Sequence, residues 1–215
     1  MHKCKICGSE CLDHLYNEKS NSNYYFCKVC EFVFQDENEV VSEEKEKEIY
    51  DLHNNTFESK GYVEMFENFI DKAIVPFIEL KSNALDYGCG PGVVLAEILR
   101  NQGWNVKTYD PIYDNNSDYN NVKYNLITST EVFEHFLNPV IELEKISKLL
   151  NKGGILAIMT LLRPKTSDEF KDWWYTRDIT HISFYSPKTL YLLGKMFGLK
   201  MIYNDNKRLI AFKKI

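Results

Sequence analysis

The chain has 215 residues, 44% of them hydrophobic and 27% charged, with a formal net charge of −5 at pH 7. This composition fits a globular protein with one sizeable core and room for a small appendage, and it excludes a disordered chain. A negative balance supplies no positive field to draw in a polyanion, so nucleic acid is not an expected partner. The longest apolar run, "ILAIMTLL" at 155–162, falls far short of the roughly 20 residues that a membrane span requires. The opening "MHKCKIC" lacks the apolar stretch of a signal peptide, and a cytoplasmic location is the expectation.

Five of the six cysteines lie in the first thirty residues. In a reducing compartment that crowding reads as a metal pattern before a disulfide pattern. Cys4, Cys7, Cys27 and Cys30 form two C-x2-C pairs separated by residues 8–26. Each pair can wrap a tight knuckle that points two thiolates at one ion, and two knuckles complete a tetrahedral Cys4 zinc site. With short strands expected at "LDHLY", "NYYFC" and "EFVF", residues 1–35 read as a zinc ribbon. Its metal is expected to be structural, because so short a segment cannot bury enough core to fold alone. A redox role would call for one C-x-x-C beside a βαβ unit, which is missing here. Cys11 is then spare, and His2 and His14 are weaker candidate ligands. The lysines and acids of residues 1–35 cancel, which suits docking or substrate recognition better than a phosphate grip.

Residues 36–81 read as a helical linker or lid. "SEEKEKEIYDLHNN" has Ser42 as N-cap and acids in its first turn. "GYVEMFENFIDKAIVPFIEL" is a second, amphipathic helix that ends or kinks near Pro76. From residue 82 to 215, strands and helices alternate. The expected strands are "NALDY", "NVKTYD", "YNLITST" and "ILAIMTLL", and the tail "LKMIYNDNKRLIAFKK" reads as two more around a polar turn. The intervening helices open on proline and close on glycine, as in "NPVIELEKISKLLNKGG" and "SPKTLYLLGKMFG". The fold class is therefore α/β, a parallel sheet covered on both faces with an antiparallel pair at the end.

"LDYGCGPG" at 85–92 closes the first of these strands with a glycine-rich turn. A dinucleotide fingerprint needs G-x-G-x-x-G, and its third glycine position is occupied here by Val93. The lysine followed by serine or threonine of a P-loop is also missing, so a phosphate is disfavoured. Asp86 at the start of the turn suits a ligand carrying an ammonium group. Asp110, at the end of the next strand, can accept both hydroxyls of a ribose.

These segments, together with "TYD" at 108–110, "YNLITSTEVFEHFLNP" at 124–139 and "LLNKGG" at 149–154, resemble the class I S-adenosylmethionine (SAM)-dependent methyltransferases over about residues 83–215. The whole chain is similar to a bacterial subgroup with an N-terminal zinc ribbon, an "HNN" helix and W-Y-x-R-D-x-T-H-x-x-F-Y near the end. The resemblance implies a Rossmann-like sheet and SAM on the turn formed by Gly88, Cys89, Gly90 and Gly92. It places the ribose on Asp110 with Pro111 beside it, Asp86 near the amino end, and residues 129–131, including Thr130 and Glu131, beside the methionine part. It also implies that the helix before the core closes over SAM, which makes Tyr50, His53 and Asn55 lid contacts. Only residues 111–123 separate "TYD" from the next strand, barely one crossover by length. The family's third strand is therefore expected to be lost, leaving the order 2-1-4-5-7-6, with Asp114 or Asp118 standing in for its adenine-contacting acid.

The residues expected to face the methyl group are Glu131, Glu134 and His135 of "TEVFEH" and the stretch "WWYTRDITHISFY" at 173–185. His181 is the candidate base; Tyr175 and Asp178 are further catalytic candidates, although the aromatics also read as packing and Asp178 as a partner of Arg177. If Glu131 opens a helix, Glu134 and His135 share its face, and with His181 they form a candidate divalent-cation site. The E-x-x-E-H arrangement with a later histidine resembles ubiquinone-pathway O-methyltransferases and small-RNA 3′-end 2′-O-methyltransferases. That resemblance implies a metal, Mg2+ or another divalent cation, which orients the acceptor hydroxyl. The reading that follows is an enzyme methylating a small or carrier-bound acceptor, at oxygen. Its rivals are an RNA or protein methyltransferase docked through the ribbon, and a non-catalytic SAM-binding or zinc scaffold protein. Acceptor identity and oligomeric state are not legible in the sequence.

Overall fold

The computed structural model describes residues 2–10, 12–52 and 57–215. The chain opens with three antiparallel strands, β1 (Leu12–Asn17), β2 (Ser22–Cys27) and β3 (Val33–Gln35). Two matched knuckles precede and follow the first pair: the Gly8 N–H donates to the Cys4 carbonyl and the Glu31 N–H to that of Cys27. In both knuckles the residue just past the C-x2-C pair is left-handed, with φ of 71° at Gly8 and 65° at Glu31. Such a reversal turns both thiols of a pair to the same side.

Helix α1 (Glu43–Tyr50) starts at Ser42, whose side chain accepts the Lys45 N–H. Helix α2 (Lys60–Ala73) buries Phe66, Phe69, Ile70 and Ala73, a spacing that keeps them on one stripe. It stops before Pro76, which sits in a short 3-10 turn. The core follows: β4 (Asn83–Tyr87), α3 (Val94–Asn101), β5 (Asn105–Tyr109), β6 (Tyr124–Thr130), α4 (Pro139–Leu149) and β7 (Leu150–Met159). After β7 come the short helix α5 (Ser167–Asp172) and the two-residue strand β8 (Ser183–Phe184). Helix α6 (Pro187–Met196), β9 (Leu199–Asn204) and β10 (Leu209–Lys214) complete the chain.

The main sheet has the order β5-β4-β6-β7-β10-β9. The strands β5, β4, β6 and β7 run parallel, and β10 lies antiparallel between β7 and β9. This is the expected 2-1-4-5-7-6 sheet, with only a 3-10 turn at Ser117–Asn121 where a third strand would lie. Alternate strand residues point to opposite faces. Leu85, Ile127, Leu156 and Ile210 pack with Leu143, Ile146, Leu190 and Leu193 of α4 and α6. Ala84, Leu126, Ala157 and Ala211 pack on the other face with α2 and α3.

Two features differ from the sequence expectation. "EVFEH" does not open a helix: Glu131 is left-handed at φ 52°, Phe133–His135 make one 3-10 turn, and α4 begins only at Pro139. The N-terminal ribbon is also not a free appendage. β3 pairs with β8 in a four-stranded sheet of order β1-β2-β3-β8. Cys4, Cys27, Cys30, Phe32 and Phe34 are buried in the same cluster as Leu85 and Ile127 of the main sheet.

Candidate active site

A cavity of about 930 Å³ lies at the C-terminal ends of β4, β5 and β6, where open α/β sheets bind ligands. One end is lined by the residues Gly88–Gly92, Asp110–Tyr113 and Glu131, and the other by His135, Trp174, Tyr175, Asp178 and His181. Helix α1 borders it through Glu43, Glu46 and Tyr50.

The glycine turn is held against the neighbouring strand. The N–H groups of Gly88 and Cys89 both donate to the Tyr109 carbonyl, at 2.7 and 3.1 Å. Gly88 has φ of 84°, and a Cβ there would stand 2.3 Å from Val132 Cγ2, so only glycine fits. Asp110 is buried and closes the turn: one carboxylate oxygen accepts the Gly90 N–H at 3.0 Å, and the other accepts those of Ile112 and Tyr113. Asp86 is buried and accepts the Thr128 hydroxyl at 2.8 Å. Burial pushes its carboxyl up to about 7, against that hydrogen bond. Burial and the acids around it push the Cys89 thiol up, which disfavours its thiolate. Two non-glycine residues at the cavity wall, Val93 (φ 41°) and Glu131, are left-handed. Such backbone persists where the surrounding packing over-determines it, and it clusters at functional sites.

At the other end Glu134 is fully buried. It accepts the Thr160 hydroxyl at 2.8 Å and the Tyr175 hydroxyl, which also lies 3.0 Å from Glu131 Oε2. Two buried carboxylates thus converge on one phenol, which disfavours ionising both at once. Burial and the charge of Glu134 push Glu131 up to about 8, and burial raises Glu134 as well. Tyr175 is held protonated by burial and by the same two acids. His135 Nδ1 meets the Thr180 carbonyl at 3.0 Å and His181 Nδ1 the Tyr175 carbonyl at 2.8 Å. A carbonyl only accepts, so both rings carry the proton on Nδ1, and Nε2 is the lone-pair nitrogen when they are neutral. Burial pushes Asp178 up, but two hydrogen bonds from Thr180 and the charges of His181 and His135 outweigh it and hold the carboxyl low.

Two groups of side chains have metal-ligand geometry. The Sγ atoms of Cys4, Cys7, Cys27 and Cys30 lie within 4.8 Å of one another, with Cys4–Cys30 at 3.4 Å and Cys7–Cys27 at 3.5 Å. Zinc–thiolate bonds of about 2.3 Å in a tetrahedron put sulfurs a little under 4 Å apart, so the cluster fits that ion. None of the four is in a disulfide. His2 pairs instead with Tyr25, and His14 with Asn23. In the cavity, ligand atoms of Glu134, His135 and His181 also lie within 4.8 Å of one another. An imidazole whose Nδ1–H is fixed by a carbonyl is how metal-bound histidines are usually oriented.

The structure therefore brings most of the expected residues to one cavity. Asp86, Gly88, Cys89, Gly90, Gly92, Asp110, Pro111, Thr130, Glu131 and Tyr50 line it alongside His135, Tyr175, Asp178 and His181. Glu134 stands behind them. Glu131 joins Glu134 through Tyr175 and stands outside the three-residue metal group. Asp178 pairs with Thr180 and His181, 3.7 Å from the latter's Nε2. Asp114 and Asp118 do not line the cavity; Ile112 and Tyr113 do. His53, Asn55 and Cys11 lie outside the described residues. Sequence reading missed Glu46, Tyr62 and Lys145. The four-residue spacing of Glu46 and Tyr50, which puts both on one helix face, was the available signal for the first.

A family model described as "Methyltransferase domain" matches residues 59–204. No curated protein matches the chain by sequence. Among solved structures, the fold is similar to that of the mitomycin 7-O-methyltransferase MmcR, with a TM-score of 0.56 at 12% identity over 81% of this chain and 59% of that one. It is also similar to magnesium protoporphyrin IX methyltransferase (ChlM) from Synechocystis PCC 6803 with bound S-adenosylhomocysteine (SAH). There the TM-score is 0.51 at 14% identity over 80% of this chain and 94% of that one. An O-methyltransferase family protein from Burkholderia thailandensis gives 0.51 at 14% identity, over 70% of this chain and 55% of that one. The chain thus spans under two thirds of the first and third of these proteins, and at such identities the likeness is one of fold. A family match over residues 59–204, on a sheet with the strand order of class I enzymes, makes this chain a member of the methyltransferase-domain family.

Proposed function

We propose that this enzyme methylates a hydroxyl of a small or carrier-bound acceptor held between the glycine turn and the 174–181 segment. The observation that carries the reading is the single cavity joining Gly88–Gly92 and Asp110 to His135, Tyr175 and His181. SAM, when bound, supplies a methyl group already activated on a sulfonium. The protein's task is then to align the acceptor, exclude water and take up a proton. The left-handed turn lets the cofactor approach the backbone, Asp110 has the chemistry to accept ribose hydroxyls, and Asp86 and Glu131, raised by burial, supply negative charge when a cationic ligand favours their ionised form. Tyr50 and Glu46 of α1 cover the cavity, the Tyr50 ring standing 5.3 Å from that of His135.

His181 is the proposed base. Its Nδ1–H is fixed by the Tyr175 carbonyl, which directs Nε2 to receive the acceptor proton, and the ionised Asp178 stabilises the imidazolium that forms. The grouping of Glu134, His135 and His181 favours a second reading. Those three would hold a divalent cation that lowers the pKa of the acceptor hydroxyl. In the ribbon, the four thiols would hold a structural zinc, which suits a reducing cytoplasm. Among the described residues no helix is long and apolar enough to cross a membrane.

Calorimetric titration with SAM and with SAH tests the cofactor site, and heat from neither would end the reading. Incubation with methyl-labelled SAM and a small-molecule extract, read by NMR, should give a methoxy product; a label on nitrogen overturns the oxygen assignment. Activity that survives both EDTA and Glu134→Ala, with the ribbon metal still in place, rules out a catalytic metal, and its loss in His181→Ala alone then assigns the base to His181.

A further inference from the structure

None of the ribbon residues described between 2 and 36 lines the cavity, yet the ribbon is tied to one end of it at several points. The Gln35 N–H donates to the Ile182 carbonyl at 2.9 Å, and the Ile182 N–H donates onward to the Glu134 carbonyl at 2.8 Å. One peptide link separates Ile182 from His181, so this chain of main-chain bonds runs from β3 into the Glu134–His181 cluster. β3 then pairs with β8, Val33 opposite Phe184 and Phe34 opposite Ser183. Asn17, which is buried, donates to the Thr176 hydroxyl at 3.3 Å, and Tyr24 packs edge-on against Phe170 and Phe184. From the opposite side the Thr189 hydroxyl donates to the Cys30 carbonyl at 2.7 Å, and Arg163 Nε donates to the Glu31 carbonyl at 2.8 Å. The Gly88–Asp110 end receives no hydrogen bond from the ribbon among the described residues.

A two-residue strand such as β8 cannot hold itself in place, and the segment before it contains only a 3-10 turn at Trp174–Arg177. We infer that the four-cysteine ribbon is the positioning element of the proposed acceptor end. The two knuckles fix β3, and β3 fixes residues 176–184 and with them His181. Metal loss from the ribbon then loosens the acceptor end while the SAM end persists. The assignment of the two ends rests on the proposed function; the coupling does not, because its test needs neither acceptor nor turnover.

The test is hydrogen exchange on the full-length, SAH-bound protein, with metal content measured alongside. Cys7→Ser removes the most exposed of the four thiols. The expected result is loss of the ribbon metal and a rise of about tenfold or more in amide exchange over 176–184, with β4 and β6 unchanged and SAH affinity within about threefold of wild type. Gln35→Pro deletes the N–H that reaches Ile182, while Gln35→Ala keeps it. The proline chain should open 176–184 with its metal retained, and the alanine chain should not. Three outcomes overturn the inference. In the first, the ribbon exchanges freely while 176–184 stays protected. In the second, β4, β6 and SAH affinity are lost in step with 176–184, or Cys7→Ser is too unstable to isolate, which would make the ribbon a support for the whole fold. In the third, Gln35→Pro and Gln35→Ala behave alike. Should Gln35→Pro fail to fold, the Cys7→Ser result decides alone. A wild-type chain that binds no SAH would sink the proposed function, and the exchange comparison would still be read on the ligand-free protein.

Discussion

The Gly88–Asp110 end of the cavity comes mostly from residues 86–113, two neighbouring parallel strands and the turns that leave them, with Glu131 added from the end of β6. The Glu134–His181 end draws on three segments far apart in sequence: the turn after β6, the loop between α5 and α6, and the ribbon strand β3 that braces it. The first end is closed by main-chain N–H groups of the glycine turn, which donate to the Tyr109 carbonyl and the Asp110 carboxylate. The second is held by side chains buried against one another, Tyr175 between Glu131 and Glu134, and Ser183 donating to the Phe136 carbonyl. The proposed cofactor end is thus set by two neighbouring strands and their turns, whereas the proposed acceptor end depends on packing between distant segments.

The largest effect that would break this contrast is expected at Gly88. Gly88→Ala meets both a positive φ and Val132, and SAH affinity should fall by more than about tenfold. Gly90 has φ of 60° and open space in front of it. Gly90→Ala should therefore weaken SAH with a smaller loss of melting temperature, and equal losses at both glycines would refute a cradle at Gly90.

Next comes Tyr175→Phe, which leaves two buried carboxylates without their shared donor. A loss of about 1–3 kcal/mol in denaturant unfolding is expected. The loss should be larger at pH 8 than at pH 5, where Glu131 holds its own proton. A pH-independent loss would mean that the phenol only fills space.

The titration of the acids gives a third test. Glu131 is raised to about 8 and Asp86 to about 7 in the fold, against the ordinary carboxylate values of about 4 in the unfolded chain. Between those values the folded state binds more protons, so the ligand-free protein should lose stability as pH rises from about 4 to 8. Glu131→Gln should flatten the upper part of that slope. The cationic SAM favours the ionised acids, so its affinity should climb over pH 6–8 with release of protons, measurable by calorimetry in buffers of different ionisation enthalpy. Affinity that falls over this range would place the ligand away from Glu131.

The smallest effect is expected at Ser186, where the loop of the proposed acceptor end meets α6. Ser186 and Thr189 form a reciprocal cap, and Ser186→Ala should cost about 1 kcal/mol in thermal or denaturant unfolding. SAH affinity should stay unchanged, and a change there would show that the two ends are not independent.

The sequence by itself determined the features with a short-range cause. The alternation of strands and helices, the antiparallel tail, the two C-x2-C pairs, the turn at Gly88–Gly92 and Asp110 at the end of β5 were all legible from spacing within a few residues. The lost third strand could be read from the length of 111–123. Tertiary structure alone decided the conformation of "EVFEH". There the Glu131 N–H donates to the Met159 carbonyl of the adjoining strand, and the left-handed turn displaces the helix that local spacing favours. The pairing of β3 with β8 was equally invisible. A strand of two residues carries no periodicity, and its partner lies about 150 positions earlier, so only the shared burial of Phe34, Cys30 and Tyr185 selects it. The ribbon that composition marks as an appendage is, for this reason, part of the wall behind the site.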